Sequence, residues 1–408
     1  MSDVMSGIRI LEVAEHTFVP AASAILADWG ADVIKIEHAV RGDAMRGLGA
    51  SGSVAFDQDV PVLVEHANRG KRSLGLDLAD PDGLAILYRL AQTADVFLTN
   101  KLPSVCERLH IRVDDLRVHN PSIVYVRGTG YGTRGPDANA GGYDFLGFWA
   151  RGGSAAASRA PGSDDVPFQP APAYGDTIGA MTIAGGICAA LLHRERTGEA
   201  KVVDVSLLAT GMWAMAGAIA LSQLTGEPWY FQPPTGTGTP SNPAAGIYRT
   251  ADDRFLAFSM LQGFHYWPEL CERIRRPELV NDPRFATAEL LAANAPEAAK
   301  QVADAIGAQP LQYWMERLAG MKGQWSAVQD TIQVANDPQT IANGYLQDLE
   351  TDDGLPYRVV STPVQFDEQP ARARRGPTFN EHGDALLTDE LGIDWDTVID
   401  LKVRGVVA

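Results

Sequence analysis

The feature that most constrains the fold is an alternation of short apolar runs with helix-length stretches through the first third of the chain. Ile8 to Ala14 reads as a buried strand, Pro20 to Trp29 as a helix that Pro20 can start at its first position, and Asp32 to Glu37 as a second strand. Leu74 to Leu78, Val96 to Asn100 and Ile123 to Val126 repeat the strand pattern, with a helix from Pro81 to Thr93 among them. Strands joined by helices run parallel, because each helix carries the chain back along a face of the sheet. The fold class is therefore α/β, with a mostly parallel sheet covered on both faces.

Further along, Tyr143 to Arg151 and Ile178 to Arg196 have helical character, and Gly152 to Pro172 between them reads as a surface excursion or flap. Val202 to Leu207 alternates as a strand should, and Leu208 to Leu224 is apolar enough to predict one well-buried helix. The stretch 226–245 holds too many prolines and glycines for regular structure and marks a boundary. Beyond it, Gly246 to Tyr248 and Arg254 to Met260 read as strands joined by the turn Thr250 to Asp253, helices fill much of 263–318, and Arg358 to Phe366 reads as a late strand. At one domain per roughly 150 residues, 408 residues predict two or three lobes. The expected division is a large lobe over 1–225, a smaller α+β lobe over 226–330 and a segment 331–408 that returns to the large lobe.

The net charge of -17 argues against a nucleic-acid partner, since phosphate recognition needs a basic surface. Cys106, Cys188 and Cys271 have no pairwise metal spacing, which fits a reducing cytoplasm and predicts no metal site. The first residues carry no signal-peptide pattern, and no uninterrupted apolar run reaches the roughly twenty residues of a membrane span. His-Glu-x-x-His, Gly-x-Ser-x-Gly and the phosphate loop are all missing. Gly130, Gly132 and Gly135 make a Gly-x-Gly-x-x-Gly after a strand, but Pro136 and Asp137 follow where a helix should start, and the first strand-helix turn, Glu15 to Pro20, lacks glycine. Binding of NAD is not expected.

Three places remain for chemistry. His16 sits at the carboxyl end of the first strand, where open α/β sheets bind ligands, although a lone histidine also serves as a structural residue. Lys71 and Arg72 form the densest basic cluster of the sheet lobe, readable as a solvated loop or as a phosphate contact. Asp176 stands between Gly175 and Thr177 at the start of an apolar helix, readable as its N-cap or as a reactive carboxylate that backbone lets a ligand approach.

Ordered along the chain, these segments resemble family III CoA-transferases, the group of formyl-CoA and carnitine CoA-transferases, related to α-methylacyl-CoA racemase. The matching residues include Gly7 to Glu12, Leu26 to Glu37, Gly42-Asp43 with Arg46, Asn68 to Leu74, Leu76 to Leu78, Ala94 to Asn100, Gly130 to Gly132, Gly142 to Asp144, Gly175-Asp176 and Ala189 to Gly198. Asn281 to Phe285, Asp337-Pro338 and Glu381-His382 extend the match into the later chain. The resemblance implies a Rossmann-like large lobe built from both ends of the chain and a homodimer of interlocked subunits. It also implies coenzyme A thioester and free acid as substrates, and Asp176 as the nucleophile that becomes an anhydride and then a CoA thioester. It assigns CoA contacts to His16, Thr17, His38, Lys71, Arg72, Leu76, Asn100, Lys101, Arg108, Tyr143 and Asp144, and a glycine-rich lid to Thr235 to Gly238. His38, Lys101 and Leu102 depart from the family's usual residues.

The racemase reading needs a second base, and its histidine position is occupied here by Tyr143. A tyrosine hydroxyl, ionising near about pH 10, is a poor base at neutral pH, which favours transfer. A non-catalytic CoA-binding protein is the third reading. A group of aromatic residues including Phe145, Phe148, Trp149, Trp213, Trp267 and Phe231 further hints at a bulky acyl group.

Overall fold

The computed structural model describes residues 3–51, 59–160, 163–230 and 242–408. It divides into two compact units, one of residues 1–156, 168–227 and 338–408, the other of residues 157–167 and 228–337. The stretch 235–238 and Phe231 lie outside the described residues.

The larger unit is organised by six parallel strands: β1 Arg9–Val13, β2 Asp32–Glu37, β3 Arg72–Gly75, β4 Val96–Thr99, β5 Val124–Thr129 and β6 Val202–Ser206. Their order is β3-β2-β1-β4-β5-β6, the order of the doubly wound dinucleotide folds. The helices between them are α1 Phe18–Asp28, α2 Val62–Asn68, α3 Pro81–Ala91, α4 Pro103–Arg108, α5 Val113–Arg117, α6 Ser154–Ala157 and α7 Tyr174–Thr197. After β6 come α8 Leu207–Ala214 and α9 Ala216–Thr225.

Period-two alternation sends successive strand residues into two cores. Ile10, Val33, Val96, Leu98, Val124 and Val126 pack on one face with α1 and α7. Leu11, Ile34, Ile36, Phe97 and Tyr125 pack on the other with α3 and with Val398 and Leu401 of the helix Trp395–Val403. Asp80 caps α3 by accepting from the Asp82 N–H, with Pro81 at the first helical position.

Some elements differ from expectation for local reasons. α1 starts at Phe18, so Pro20 is its third residue, where a missing N–H still costs no intrahelical bond. β3 starts at Arg72 and ends at Gly75: the Leu76 N–H still donates to Glu37 of β2, and the chain then turns to the tail, with the Asp77 N–H donating to Val406. The apolar stretch after β6 is two helices bent by 71°, not one, and α9 buries no residue. The late strand is shorter than expected: β10 Leu346–Glu350 and β11 Pro356–Val360 form an antiparallel ribbon of their own, apart from the six-stranded sheet. The tail reaches the large sheet at Asn380, which accepts from the Gly75 N–H, at His382, whose N–H donates to the Ser73 carbonyl, and at Val407, which bridges to Leu76. Between α9 and β10 in sequence, the smaller unit has a three-stranded antiparallel sheet, β7 Ala245–Arg249, β8 Phe255–Ser259 and β9 Trp325–Ala327, packed with helices around Trp267, Phe285 and Trp314.

α7 is long and apolar enough by composition to cross a membrane, but half of its most apolar window is buried in this unit, where it packs along α1. Small residues permit that approach. A Cβ added at Gly179 would stand 2.4 Å from the Phe18 ring, and one at Gly128 would stand 2.1 Å from Val19. Gly179→Val should therefore lower stability to urea by about 1–3 kcal/mol through overpacking. An unchanged denaturation midpoint would contradict the close α1–α7 contact.

Candidate active site

The carboxyl ends of β1, β4, β5 and β6 open onto a cavity of about 510 Å³. Its walls include Glu15 and His16 after β1, Asn100 and Lys101 after β4, Gly128 to Gly130 at the end of β5, Leu207 after β6, and Tyr143 and Asp176. The glycines of this wall matter for space: a Cβ at Gly130 would come within 3.0 Å of the Gly142 backbone. Gly130 to Gly135 is loop and no helix follows it, as the sequence predicts.

Asp176 is 8% exposed and is the third residue of α7. The helix begins earlier than expected because Ala173 takes a left-handed conformation, φ 56°, and accepts from the Thr177 N–H at 2.9 Å. Ala173, not Asp176, is thus the N-cap residue. The first-turn N–H of Gly175 is satisfied by Asp144, whose Oδ2 also accepts from Gln169 at 2.9 Å while its Oδ1 caps the wide π-type turn Phe145–Ala150. Gly175 can only be glycine here, since a Cβ would fall 2.5 Å from Phe148. The Asp176 carboxylate itself accepts no hydrogen bond among the described residues.

Two influences oppose each other at Asp176. A helix N-terminus favours a negative charge. Burial, reinforced by the Asp144 carboxylate, disfavours it and pushes the pKa up to about 8. Burial prevails because Asp144 has already taken the nearest helix N–H.

His16 enters the cavity in a left-handed conformation, φ 66°, uncommon outside glycine although histidine adopts it more often than most residues. Its N–H donates to Asp43 at 3.0 Å and its ring meets Tyr143 edge-on at 5.3 Å. Asn100 holds the turn from the other side: its Oδ1 accepts from the Glu15 N–H at 3.2 Å and its amide donates to the Glu15 carbonyl at 2.6 Å. Lys101 reaches Glu15 Oε1 at 2.6 Å.

Of the residues expected at the site, the structure gathers His16, Asn100, Lys101, Tyr143 and Asp176 around the cavity, with Asp144 directly behind Asp176. The others stand elsewhere. Thr17 is buried, its carbonyl accepting the Ala21 N–H in the first turn of α1. His38 closes the turn after β2 by accepting from the Val40 and Arg41 N–H groups. Arg72 is at the opposite, amino end of its strand, paired with Asp32 and Glu390. Leu76 is core. Arg108 is exposed at the end of α4 and does not line the cavity.

Lys71 is the clearest correction: it is fully buried, and its Nζ donates to Glu12 Oε2 at 2.7 Å, to the Pro20 carbonyl at 2.8 Å and to Asn68 at 3.1 Å. A basic loop cluster and a buried ion pair look alike in sequence. The aromatic group does not line the cavity either: Phe148, Trp149 and Trp267 are buried, and Trp213 is 81% exposed.

Residues that sequence reasoning did not single out include Glu15, Thr129, Gln169 and His66. His66, on α2, lies 3.2 Å from the Thr177 hydroxyl, next to Asp176 in sequence. Burial and the adjacent Arg69 push its pKa down to about 4, so it meets Thr177 as a neutral ring.

The family model described as CoA-transferase family III matches residues 5–383, and the chain belongs to that family. It is a CoA-transferase, an enzyme whose substrates are CoA thioesters. It is 26% identical to the (R)-2-hydroxy-4-methylpentanoate CoA-transferase of Clostridioides difficile, with 99% of each chain covered. With the succinate–glutarate CoA-transferase of Agrobacterium fabrum it shares 31% identity over 94% of this chain and 95% of the relative. Its fold is similar to the crystal structure of a CAIB/BAIF family protein from Brucella suis, with a TM-score of 0.80 and 25% identity over 94% of this chain and 98% of the other.

Two measurements separate the buried charge of Lys71 from that of Asp176. Lys71→Met should cost about 3–5 kcal/mol of stability by leaving Glu12 short of a partner, while the folded fraction keeps its CoA affinity. A selective loss of affinity with unchanged melting would return Lys71 to the binding site. For Asp176, the folded pKa of about 8 lies above the ordinary carboxyl value of 3.8. The folded chain then binds more protons than the unfolded one between those values, so stability falls as pH rises through that window. Asp176→Asn should be more stable than the parent at pH 7, by on the order of 4 kcal/mol, and nearly equal to it near pH 4. Equal melting at both pH values would contradict the raised pKa.

Proposed function

We propose that Asp176 is the nucleophile of an acyl-CoA:carboxylate CoA-transferase and that the cavity beside it receives the thioester end of the donor. A carboxylate oxygen of Asp176 attacks the thioester carbonyl carbon, the C–S bond breaks and CoA thiolate leaves, giving a mixed anhydride. The thiolate then attacks the Asp176 carboxyl carbon, the donor acid departs as a carboxylate, and Asp176 becomes a CoA thioester. The acceptor carboxylate attacks that same carbon, again expelling thiolate and forming a second anhydride. Attack of the thiolate on the acceptor's acyl carbon completes the new thioester and frees Asp176.

The observation that carries this reading is the setting of Asp176: buried, lining the cavity, its oxygens unclaimed, and with its pKa raised to about 8. A more basic carboxylate is a stronger nucleophile once ionised, and enclosure limits hydrolysis of the anhydrides. His16, Asn100, Lys101 and Tyr143 are the proposed contacts for the CoA thioester, with Asp144 fixing the turn that carries Asp176. A pKa near 8 would also suit a base that removes a proton beside the thioester, as in a racemase. Tyr143, which also lines the cavity, is a weak partner for that reaction.

We further propose an interlocked homodimer, the large lobe binding CoA, in the cytoplasm. The support for a dimer is the apolar surface of α8 and α9, where Trp213 is 81% and Leu224 85% exposed. The absence of disulfides among the described cysteines agrees with a reducing compartment.

Asp176→Ala should abolish exchange of CoA between a thioester and a labelled free acid while CoA still binds by calorimetry. Exchange at the parent rate would overturn the nucleophile. Deuterium incorporation beside the thioester without any acceptor acid would favour the racemase instead.

A further inference from the structure

A cavity proposed for an anionic substrate is expected to present free positive charge. Among the described residues that line it, Lys101 is the only lysine or arginine, and its ammonium is already engaged by the Glu15 carboxylate at 2.6 Å. Both side chains keep partial access to solvent, 22% for Lys101 and 26% for Glu15, so the pair is reachable by a ligand.

The two partners are not equally free to move. Glu15 is held through its backbone on both sides by Asn100, and the next residue, His16, is fixed in a left-handed conformation by Asp43. Lys101 has a four-carbon stem, and its backbone N–H is anchored at 3.1 Å to Thr99 Oγ1, which leaves the ammonium to swing. Asp43 is itself tied to Lys35 at 2.8 Å, so the Glu15–His16 turn is braced from the core.

Resting on the CoA reading of this cavity, we propose that Glu15 is an affinity-setting residue that competes with an anionic group of the substrate for Lys101. On loading, the Lys101 ammonium leaves the Glu15 carboxylate for a phosphate or carboxylate oxygen of the ligand. On release, Glu15 takes it back. The pair thereby weakens ground-state binding and favours departure of products, which a double-displacement enzyme needs twice per cycle. No bond is made or broken in this exchange, and the Glu15 charge is left to solvent while the ligand is bound.

The chemistry is shared by two parts of the reaction, the phosphates of CoA and the remote carboxylate of a dicarboxylic acid. The test is a calorimetric titration of the full chain, its Glu15→Gln and Lys101→Gln variants and the double variant with CoA and, separately, with succinate, at low and moderate salt. Melting curves establish that each variant is folded, and Glu15→Asp serves if Glu15→Gln is not. Glu15→Gln should tighten binding by about three- to fivefold, the size of an exposed ion pair, and the gain should vanish when Lys101 is also Gln. A gain for CoA alone assigns Lys101 to the phosphates, and a gain for succinate alone assigns it to the acid. Unchanged or weaker binding by Glu15→Gln overturns the proposal, as does a gain that persists without Lys101, since Glu15 would then act by plain repulsion. If no form of the protein binds CoA, the reading of the cavity fails instead.

Discussion

The structure depends on a group of charges taken out of water at the centre of the large unit. Glu12 of β1 meets Lys35 of β2 at 2.9 Å and Lys71 at 2.7 Å, while Lys35 also reaches Asp43 at 2.8 Å. Burial works to raise the Glu12 pKa, and the two ammoniums overcome it and leave it lowered. Burial likewise opposes the charge on Lys71, bringing it down to about 7, with Lys35 adding to the effect. Such a set is stable only when every member has its partners. The Lys71 Nζ meets that condition with a carboxylate, a backbone carbonyl and an amide oxygen, and Ser23 donates to Glu12 as well.

From this centre, constraint passes outward to the cavity. Asp43 joins the buried set to the His16 N–H, so the turn after β1 takes its left-handed form where ligands of parallel sheets bind. Asp144 does for α7 what Asp43 does for His16, using one carboxylate to satisfy a helix N–H and to seat the chain beside it. Asp176 is left with burial and no hydrogen bond, the one carboxylate of the site whose charge is not compensated. Among the described residues, Glu15, Asp43 and Asp144 have partners around the cavity, and the proposed reactive acid has none.

Much of the fold was legible because it rests on periodicity. β1, β2, β4 and α3 lie within two residues of their expected bounds, since alternating apolar residues and a proline start are local signals. Asp176 was legible through its neighbours, Gly175 and Gly179, which mark close contacts with Phe148 and Phe18. What could not be read was pairing across distance. Lys71 and Arg72 are adjacent, yet one closes a buried network and the other an ion pair at the strand's amino end, and only the three-dimensional partners Glu12 and Asp32 distinguish them. The same applies to Asp144, where nothing in the sequence indicates that its carboxylate serves a helix thirty residues on. α9 failed for a different reason: apolar composition predicts burial but not what will cover the helix, and in the single chain it remains uncovered.

The most direct test of the central claim is to mix the enzyme with an acyl-CoA donor and no acceptor, quench in acid, and map the adduct by peptide mass spectrometry. The account predicts a CoA thioester on Asp176 that hydroxylamine converts to the hydroxamate and that disappears on adding acceptor acid at the rate of turnover. An adduct on another residue, or full turnover with Asp176 unmodified throughout, would contradict it.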